Sequence, residues 1–477
     1  MFDKQINVTQ KNFLLFLYLV ILGIFGPAAY WISNNNTEQI FSQKTSANPV
    51  EKRFSMGEKI LVTAHSNLAK QAGVEAYAKG DYITAQENFN SALERNRNDP
   101  EARIYLNNTI AAKTKATYRI GVGVPIGGDL GVAEEILRGV AQAQTEINNK
   151  GGIDGKLLTI KIANDDNNPE VALEIADRFV KDSKILAVVG HNTSNTSIAA
   201  APIYQDAGLV MITPTSSAET LSAMGDRIFR TTPSTRALAD ILADRAVNVE
   251  GKTNIGVCID AESQASTSFQ ENFTWAVYNY GGKIAPLNCN LSATDFDATQ
   301  ISSEAISSGV DALLVAPSVG KVNKAIEVVT ANNDRLTLFG NHSLNTYATL
   351  KGGQNAANGM ILAVPWYEQS NENEFVRNAE KLWGGSVNWR TAMAYDATQT
   401  ISQGLVADTT RKTIQSTIAH PDFTAKGATT EVSFLPSGDR HLKGTLIKIQ
   451  PGEKSGTGYN FAPLDSGRQV VSAEIRK

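Results

Sequence analysis

Cysteine is almost missing from these 477 residues: Cys258 and Cys289 are the whole complement, and no CxxC pair occurs. A zinc ribbon and a disulfide-dense scaffold are thereby excluded, while one bridge or two buried thiols both stay open. Histidine is nearly as scarce, with five residues far apart in sequence. No GxSxG elbow, HExxH or complete P-loop pattern is present, so the sequence offers no catalytic constellation, metal site or cofactor motif. Excess positive charge is missing too. Acids outnumber bases 48 to 44, for a net charge of -4, and no basic stripe interleaves with aromatics. Nucleic acid is not an expected partner.

What is present is a globular mixture, 42% apolar and 19% charged, in a chain long enough for more than one domain. Its one long apolar run is FLLFLYLVILGIFGPAAYWI, Phe13 to Ile32, twenty residues without a charge. As a helix it would extend about 30 Å, the thickness of a bilayer's hydrocarbon core. Lys4 and Lys11 precede it, which puts them inside and the rest of the chain outside. Residues 1–32 therefore read as a cytoplasmic tail and single-pass anchor in a bacterial plasma membrane. A cleaved signal peptide is the rival, with a poor small-x-small site at Pro27-Ala28-Ala29.

Residues 33–56, polar and without apolar period, read as a linker. Residues 57–115 read as helices with apolar positions three and four apart. Within them GVEAYAKGDYITAQENFNSALERNRNDPEA resembles a tetratricopeptide repeat at Gly73, Gly80, Asp81, Tyr82, Ala85, Phe89, Ala92 and Leu93. One repeat cannot bury both faces, so the expectation is a spacer or docking cap.

From Tyr118 short β-branched runs alternate with amphipathic helices, in two successive series. Strands are expected at Arg119–Val124, Leu157–Ile162, Ile185–Val189 and Leu209–Ile212, then at Ile255–Ile259, Lys283–Leu287, Ala312–Ala316 and Thr337–Phe339. Helices are expected at Ala133–Asn149, Val171–Asp182, Ala237–Val249, Phe269–Tyr280 and Lys321–Asn332. Such alternation means an α/β fold of two doubly wound parallel sheets, hence two lobes. Ligands of these sheets sit at the carboxyl ends of the strands.

Several segments carry a specific likeness: VPIGGDLG at 124–131, GGIDG at 151–155, GHNTS at 190–194, ITPTSSAETL at 212–221, FGNHSLN at 339–345, AMAYDA at 392–397 and FLPSGDRHLKG at 434–444. In order and spacing they resemble the leucine/isoleucine/valine-binding protein family of type I periplasmic binding proteins, from Tyr118 to the C-terminus. The resemblance implies two lobes, 118–235 with 365–434 and 236–364 with 435–477. It places crossovers near Thr232–Arg236, Pro365–Tyr367 and Phe434–Gly438.

It also implies a site. Ser194 and Ser217 would hold a ligand carboxylate, with Asn192, Thr215 and Ser216 beside them. The turn at 190–194 ends a strand and opens a helix, so free backbone N–H groups converge there. On the residues alone, these serines and threonines read as ordinary N-caps. In the second lobe the family's acidic residue is replaced by His342, within Asn341-His342-Ser343; a neutral imidazole accepts one hydrogen bond but cannot neutralise an ammonium. A surface-loop histidine is the bland alternative. Pocket-wall aromatics are missing, with Gln264 or Ser263 in one such place, Ser318 in another and Arg390 near a third. Asp129, Asp260 and Glu262 are the acids nearest the site. The expected ligand is small and polar, an amino acid or an amide-like solute.

The resemblance implies a receptor that closes on its solute and delivers it to an ABC-type permease. A membrane-anchored sensor read by a signalling partner is the alternative, which the anchor and the repeat-like segment favour.

Overall fold

The computed structural model describes residues 49–114, 116–368, 373–405, 410–428 and 430–464. The apolar run at 13–32 and the stretch 33–48 lie outside them. No helix among the described residues is long and apolar enough to cross a membrane.

The end of the expected linker is instead ordered: Pro49–Arg53 form a 3-10 turn and the two residues after it join the first sheet. Val50 and Phe54 are buried, and β1 (Phe54–Ser55) pairs antiparallel with Ala163 and Ile162. Phe54 meets Phe179 edge-on at 5.5 Å, so a single aromatic anchors the strand.

Three helices follow: α1 (Leu68–Ala78), α2 (Tyr82–Arg95) and α3 (Pro100–Ala112). Each starts at a polar cap, where Asn67, Asp81 and Asp99 accept the N–H of Lys70, Thr84 and Ala102. Phe89 is fully buried, and a Cβ on Gly73 would lie 2.8 Å from its ring, so that contact requires a glycine. The segment is not a free spacer. Asn108 donates to the Ile160 carbonyl at 2.7 Å and accepts the Ile160 N–H at 2.9 Å, which fastens α3 to the first lobe. Phe89, Tyr105, Ile120 and Ile160 accordingly belong to one apolar core.

The first lobe is β2 (Thr117–Val124), α4 (Leu130–Asn149), β3 (Leu157–Asn164), α5 (Pro169–Lys181), β4 (Ile185–Val189), α6 (Ser194–Asp206), β5 (Val210–Thr213) and β6 (Ile228–Arg230). The second continues with α7 (Thr235–Asp244), β7 (Asn254–Ile259), α8 (Gln264–Asn279), β8 (Lys283–Ile284), α9 (Ala298–Ser307), β9 (Ala312–Ala316), α10 (Val322–Asn332), β10 (Thr337–Gly340), α11 (Tyr347–Gly353) and β11 (Ile361–Val364). The chain then returns to the first lobe with α12 (Glu374–Trp383), α13 (Trp389–Gly404), α14 (Arg411–Ile418), β12 (Ala425–Lys426) and β13 (Glu431–Val432). It closes the second with β14 (Thr445–Pro451) and β15 (Tyr459–Pro463).

Among the described residues, the sheets run β1-β3-β2-β4-β5-β6 and β15-β14-β11-β10-β9-β7-β8. They are parallel except at β1, β14 and β15. Strands β5 and β9 are buried at every position, as parallel strands covered on both faces must be.

Three expectations need correction. Helix α8 begins at Gln264, a turn earlier than Phe269, because Ser263 caps it by accepting the Ser266 N–H. Strand β8 stops at Ile284 rather than Leu287. The third crossover is not at 434–438: Arg230 pairs with Asp439 at 2.6 Å and Arg440 pairs with Asp396, which holds this stretch in the first lobe. The chain crosses just before β14, at Gly444, where a Cβ would lie 2.5 Å from Leu238.

The open cysteine question resolves to a disulfide between Cys258 and Cys289. Past the end of β8 the pairing continues, with the Ile259 N–H donating to the Cys289 carbonyl at 3.0 Å. That register brings the two Cα atoms within 4.6 Å, inside bridging range.

Candidate functional site

Strands β4 and β5 end side by side, and the loops beyond them are stapled together. Thr215 Oγ1 donates to the Asn192 carbonyl at 2.7 Å, and Ser216 Oγ lies 2.7 Å from Ser197 Oγ. Asn192 Nδ2 donates to Asn167 Oδ1 at 3.0 Å. The side chains of Asn192, Thr215 and Ser216, expected at the ligand, are therefore committed within the lobe. Ser194 Oγ accepts the Ala218 N–H at 3.2 Å. Ser217 differs: it is fully buried, and its hydroxyl has no hydrogen-bond partner among the described residues. A buried polar group without a partner is costly and calls for an explanation.

His191 underlies this turn. Its Nδ1 lies 2.6 Å from Asp165 Oδ2 and its Nε2 lies 3.1 Å from the Tyr204 hydroxyl, all in the interior. Gly123 admits the imidazole, since a Cβ there would sit 2.9 Å from the ring.

His342 is not a surface-loop residue. It is buried, edge-on to Trp389 with ring centroids 5.1 Å apart, and its Nδ1 has no partner among the described residues. Burial, and then the nearby Arg390 charge, push its pKa down to about 3, so the ring is neutral. Trp389 corrects the expectation that wall aromatics are missing. It is the first residue of α13, one position from Arg390, and its indole N–H also lacks a partner among the described residues. A one-residue slip hid it.

Helix α13 reaches the cleft because Gly139 on α4 lets its backbone close in. A Cβ at Gly139 would fall 2.2 Å from the Thr391 carbonyl oxygen. Arg390 is buried over Trp389, with Cζ 4.4 Å from the ring centroid. Its guanidinium makes no hydrogen bond or ion pair with any described residue. Burial lowers its pKa to about 10, partly countered by Asp129 and Glu135.

A cavity of about 420 Å³ separates the lobes here, lined by Asp129, Glu135 and Arg390 on one side and Val322, Thr346 and Tyr347 on the other. A second, of about 370 Å³, lies across Glu135 and Asn388 and is walled by Trp366, Tyr367 and Trp389. Ser194 and Ser217 line neither.

Gln264 and Ser318 line neither of these two cavities. Gln264 is exposed, and its backbone N–H donates to Asn195 Oδ1 at 3.0 Å. Ser318 is half-buried before a short 3-10 turn, with no side-chain cap bond. Of the nearby acids, Asp129 caps α4 through the Val132 N–H, Asp260 accepts from Ser292 and the Glu262 N–H, and Glu262 is exposed.

Comparison with known proteins agrees with this architecture. An amino acid binding protein of Pseudomonas aeruginosa is 33% identical over 146 residues, 30% of this chain and 39% of that one. A Leu/Ile/Val-binding protein homolog of Brucella abortus is 37% identical over 100 residues, 21% and 27% of the two chains. The chain thus aligns with well under half the length of these relatives. A crystal structure of a leucine binding protein from Thermotoga maritima shares the fold, with a TM-score of 0.63 at 18% identity over 72% of this chain and 98% of that one. Because the family match, described as periplasmic binding protein, runs from residue 117 to 446 through both lobes and every crossing between them, the chain belongs to the periplasmic binding protein family.

Proposed function

We propose that this chain is an extracytoplasmic solute-binding receptor, which closes on a small polar ligand and delivers it to an ABC-type permease. The observation that carries this reading is the 420 Å³ cavity between the lobes, onto which Arg390 opens without an ion-pair partner among the described residues, with His342 Nδ1 and Trp389 Nε1 also unpartnered beside it. A solute that supplies those partners gains its full binding energy only when both lobes contact it, so binding and closure are one event. No enzymatic step is needed. The apolar run at 13–32 serves as the tether.

The test is mass spectrometry of whatever co-purifies with the full-length chain, followed by calorimetric titration of that solute into stripped protein. Stoichiometric binding with a fall in the radius of gyration supports the receptor. A stripped chain that binds nothing and keeps its shape overturns it.

The sensor reading rests on one further observation: α1–α3 share the first lobe's core while Leu68 and Ile83 stay exposed on them. A partner seated there would sit on a rigid extension of that lobe. Co-purification with a kinase or cyclase, rather than a permease, favours it.

A further inference from the structure

Arg390 is the one buried guanidinium lining the 420 Å³ cavity among the described residues, and it is 4% exposed. Buried charges in folded proteins are paired or hydrogen-bonded, and an indole face replaces only part of the lost hydration. The acids on the same wall are already engaged. Glu135 accepts from Arg138 Nη1 at 2.9 Å and from Thr391 Oγ1. Asp129 holds the Val132 N–H at 3.0 Å. Neither comes within ion-pair distance of Arg390.

The neighbouring groups point the same way. Trp389, on the wall of the adjoining 370 Å³ cavity, has an indole N–H without an acceptor among the described residues. Asn388 caps α13 by accepting the Arg390 N–H, so the positive end of a sixteen-residue helix opens here as well. His342 across the cleft is a neutral ring and brings no negative charge. Asp129 and Glu135 share this wall, yet neither pairs with Arg390, so its guanidinium faces the cavity without a bonded carboxylate among the described residues.

We propose that the solute carries a carboxylate that seats on Arg390, so that the ligand class is acidic: dicarboxylates or amino acids with acidic side chains, rather than aliphatic amino acids. The inference rests on the receptor reading above. A planar carboxylate matches the guanidinium fork with two parallel hydrogen bonds, which an amide cannot reproduce. An amide or an apolar group placed against Arg390 would leave the guanidinium without an anion, and an acidic group supplies it.

The experiment is a thermal-shift and calorimetric panel on the full-length chain, in matched pairs: L-glutamate with L-glutamine, L-aspartate with L-asparagine, succinate with succinamide, glutarate with glutaramide, and L-leucine alone. At least one acid is expected to bind about tenfold or more tighter than its amide. Arg390→Met removes that advantage, and Arg390→Lys keeps part of it. The amino-acid and dicarboxylate arms tell whether an ammonium is also read. Amides or leucine binding as tightly as the acids would overturn the acidic class and leave the receptor standing. An acid preference that survives Arg390→Met also overturns it. No shift with any compound counts against both. The wild-type ranking decides the matter even if the methionine variant fails to fold.

Discussion

His342 and Trp389 come from opposite lobes and meet edge to face, with ring planes at 86°. The contact closes one side of the cleft and keeps the imidazole out of water. Because the folded pKa is about 3 against an ordinary 6.5, the unfolded chain binds one more proton between those values. Stability from this group is therefore complete above pH 6.5 and is lost as pH falls toward 3. The slope is about 1.4 kcal/mol per pH unit. Urea unfolding of wild type and His342→Phe at pH 7, 6, 5 and 4 isolates it, since other groups cancel in the difference. Parallel pH profiles for the two proteins would dispose of the neutral-imidazole account.

Ser217 and Ser216 are adjacent but are expected to behave oppositely. Ser216 Oγ contacts Ser197 Oγ and the carbonyls of His191 and Asn192. Ser216→Ala should cost about 1 kcal/mol of stability. Ser217 Oγ has no partner to lose among the described residues, so Ser217→Ala should leave the melting temperature unchanged. Its affinity for the co-purifying solute should fall by about tenfold to a hundredfold, for one hydrogen bond to a charged group. Unchanged affinity would remove Ser217 from the site.

The bridge between Cys258 and Cys289 closes a loop with a sequence separation of 31. Breaking it should cost about 2–4 kcal/mol, through the entropy of the unfolded chain. Denatured, unreduced protein should show no free thiol, and reductant should lower the urea midpoint. Two titratable thiols before reduction would refute the bridge.

Much of this architecture was legible because it is periodic. The apolar runs ILAVV and ALLVA, set between helical periods, read as parallel strands, and their bounds hold to the residue. The ordered likeness also located the turns carrying Ser194, Ser217 and His342. What stayed hidden depends on partners distant in sequence. Nothing in Thr215 or Ser216 tells that their hydroxyls turn inward to Asn192. Phe54 sits in polar surroundings and gives no strand period, yet one ring on Phe179 holds β1 to the sheet. The resemblance placed a crossover at 434–438, and only the pairing of Asp439 with Arg230 and of Arg440 with Asp396 keeps this stretch in the first lobe. Trp389 was missed for a plainer reason: the likeness put Arg390 at that wall, one position further along α13.

Asn195, at the start of α6, bridges the lobes on the other side of the cleft. Its Nδ2 donates to the Glu262 carbonyl at 2.9 Å while its Oδ1 accepts the Gln264 N–H at 3.0 Å. One side chain thus satisfies a carbonyl and a helix N–H of the opposite lobe, which acts as a latch on the closed form. Each bond is worth about 0.5–1.5 kcal/mol, so Asn195→Ala should weaken closure by about tenfold. The loss should appear mainly as faster solute release, because the encounter surfaces are unchanged. Asn195→Asp keeps the acceptor and loses the donor, and should fall between the two. Small-angle scattering at partly saturating solute should show a larger radius of gyration for the alanine variant, and stopped-flow release of the co-purifying solute should rank the three. A wild-type release rate in Asn195→Ala, with no expansion, would mean the contact forms without holding the lobes shut.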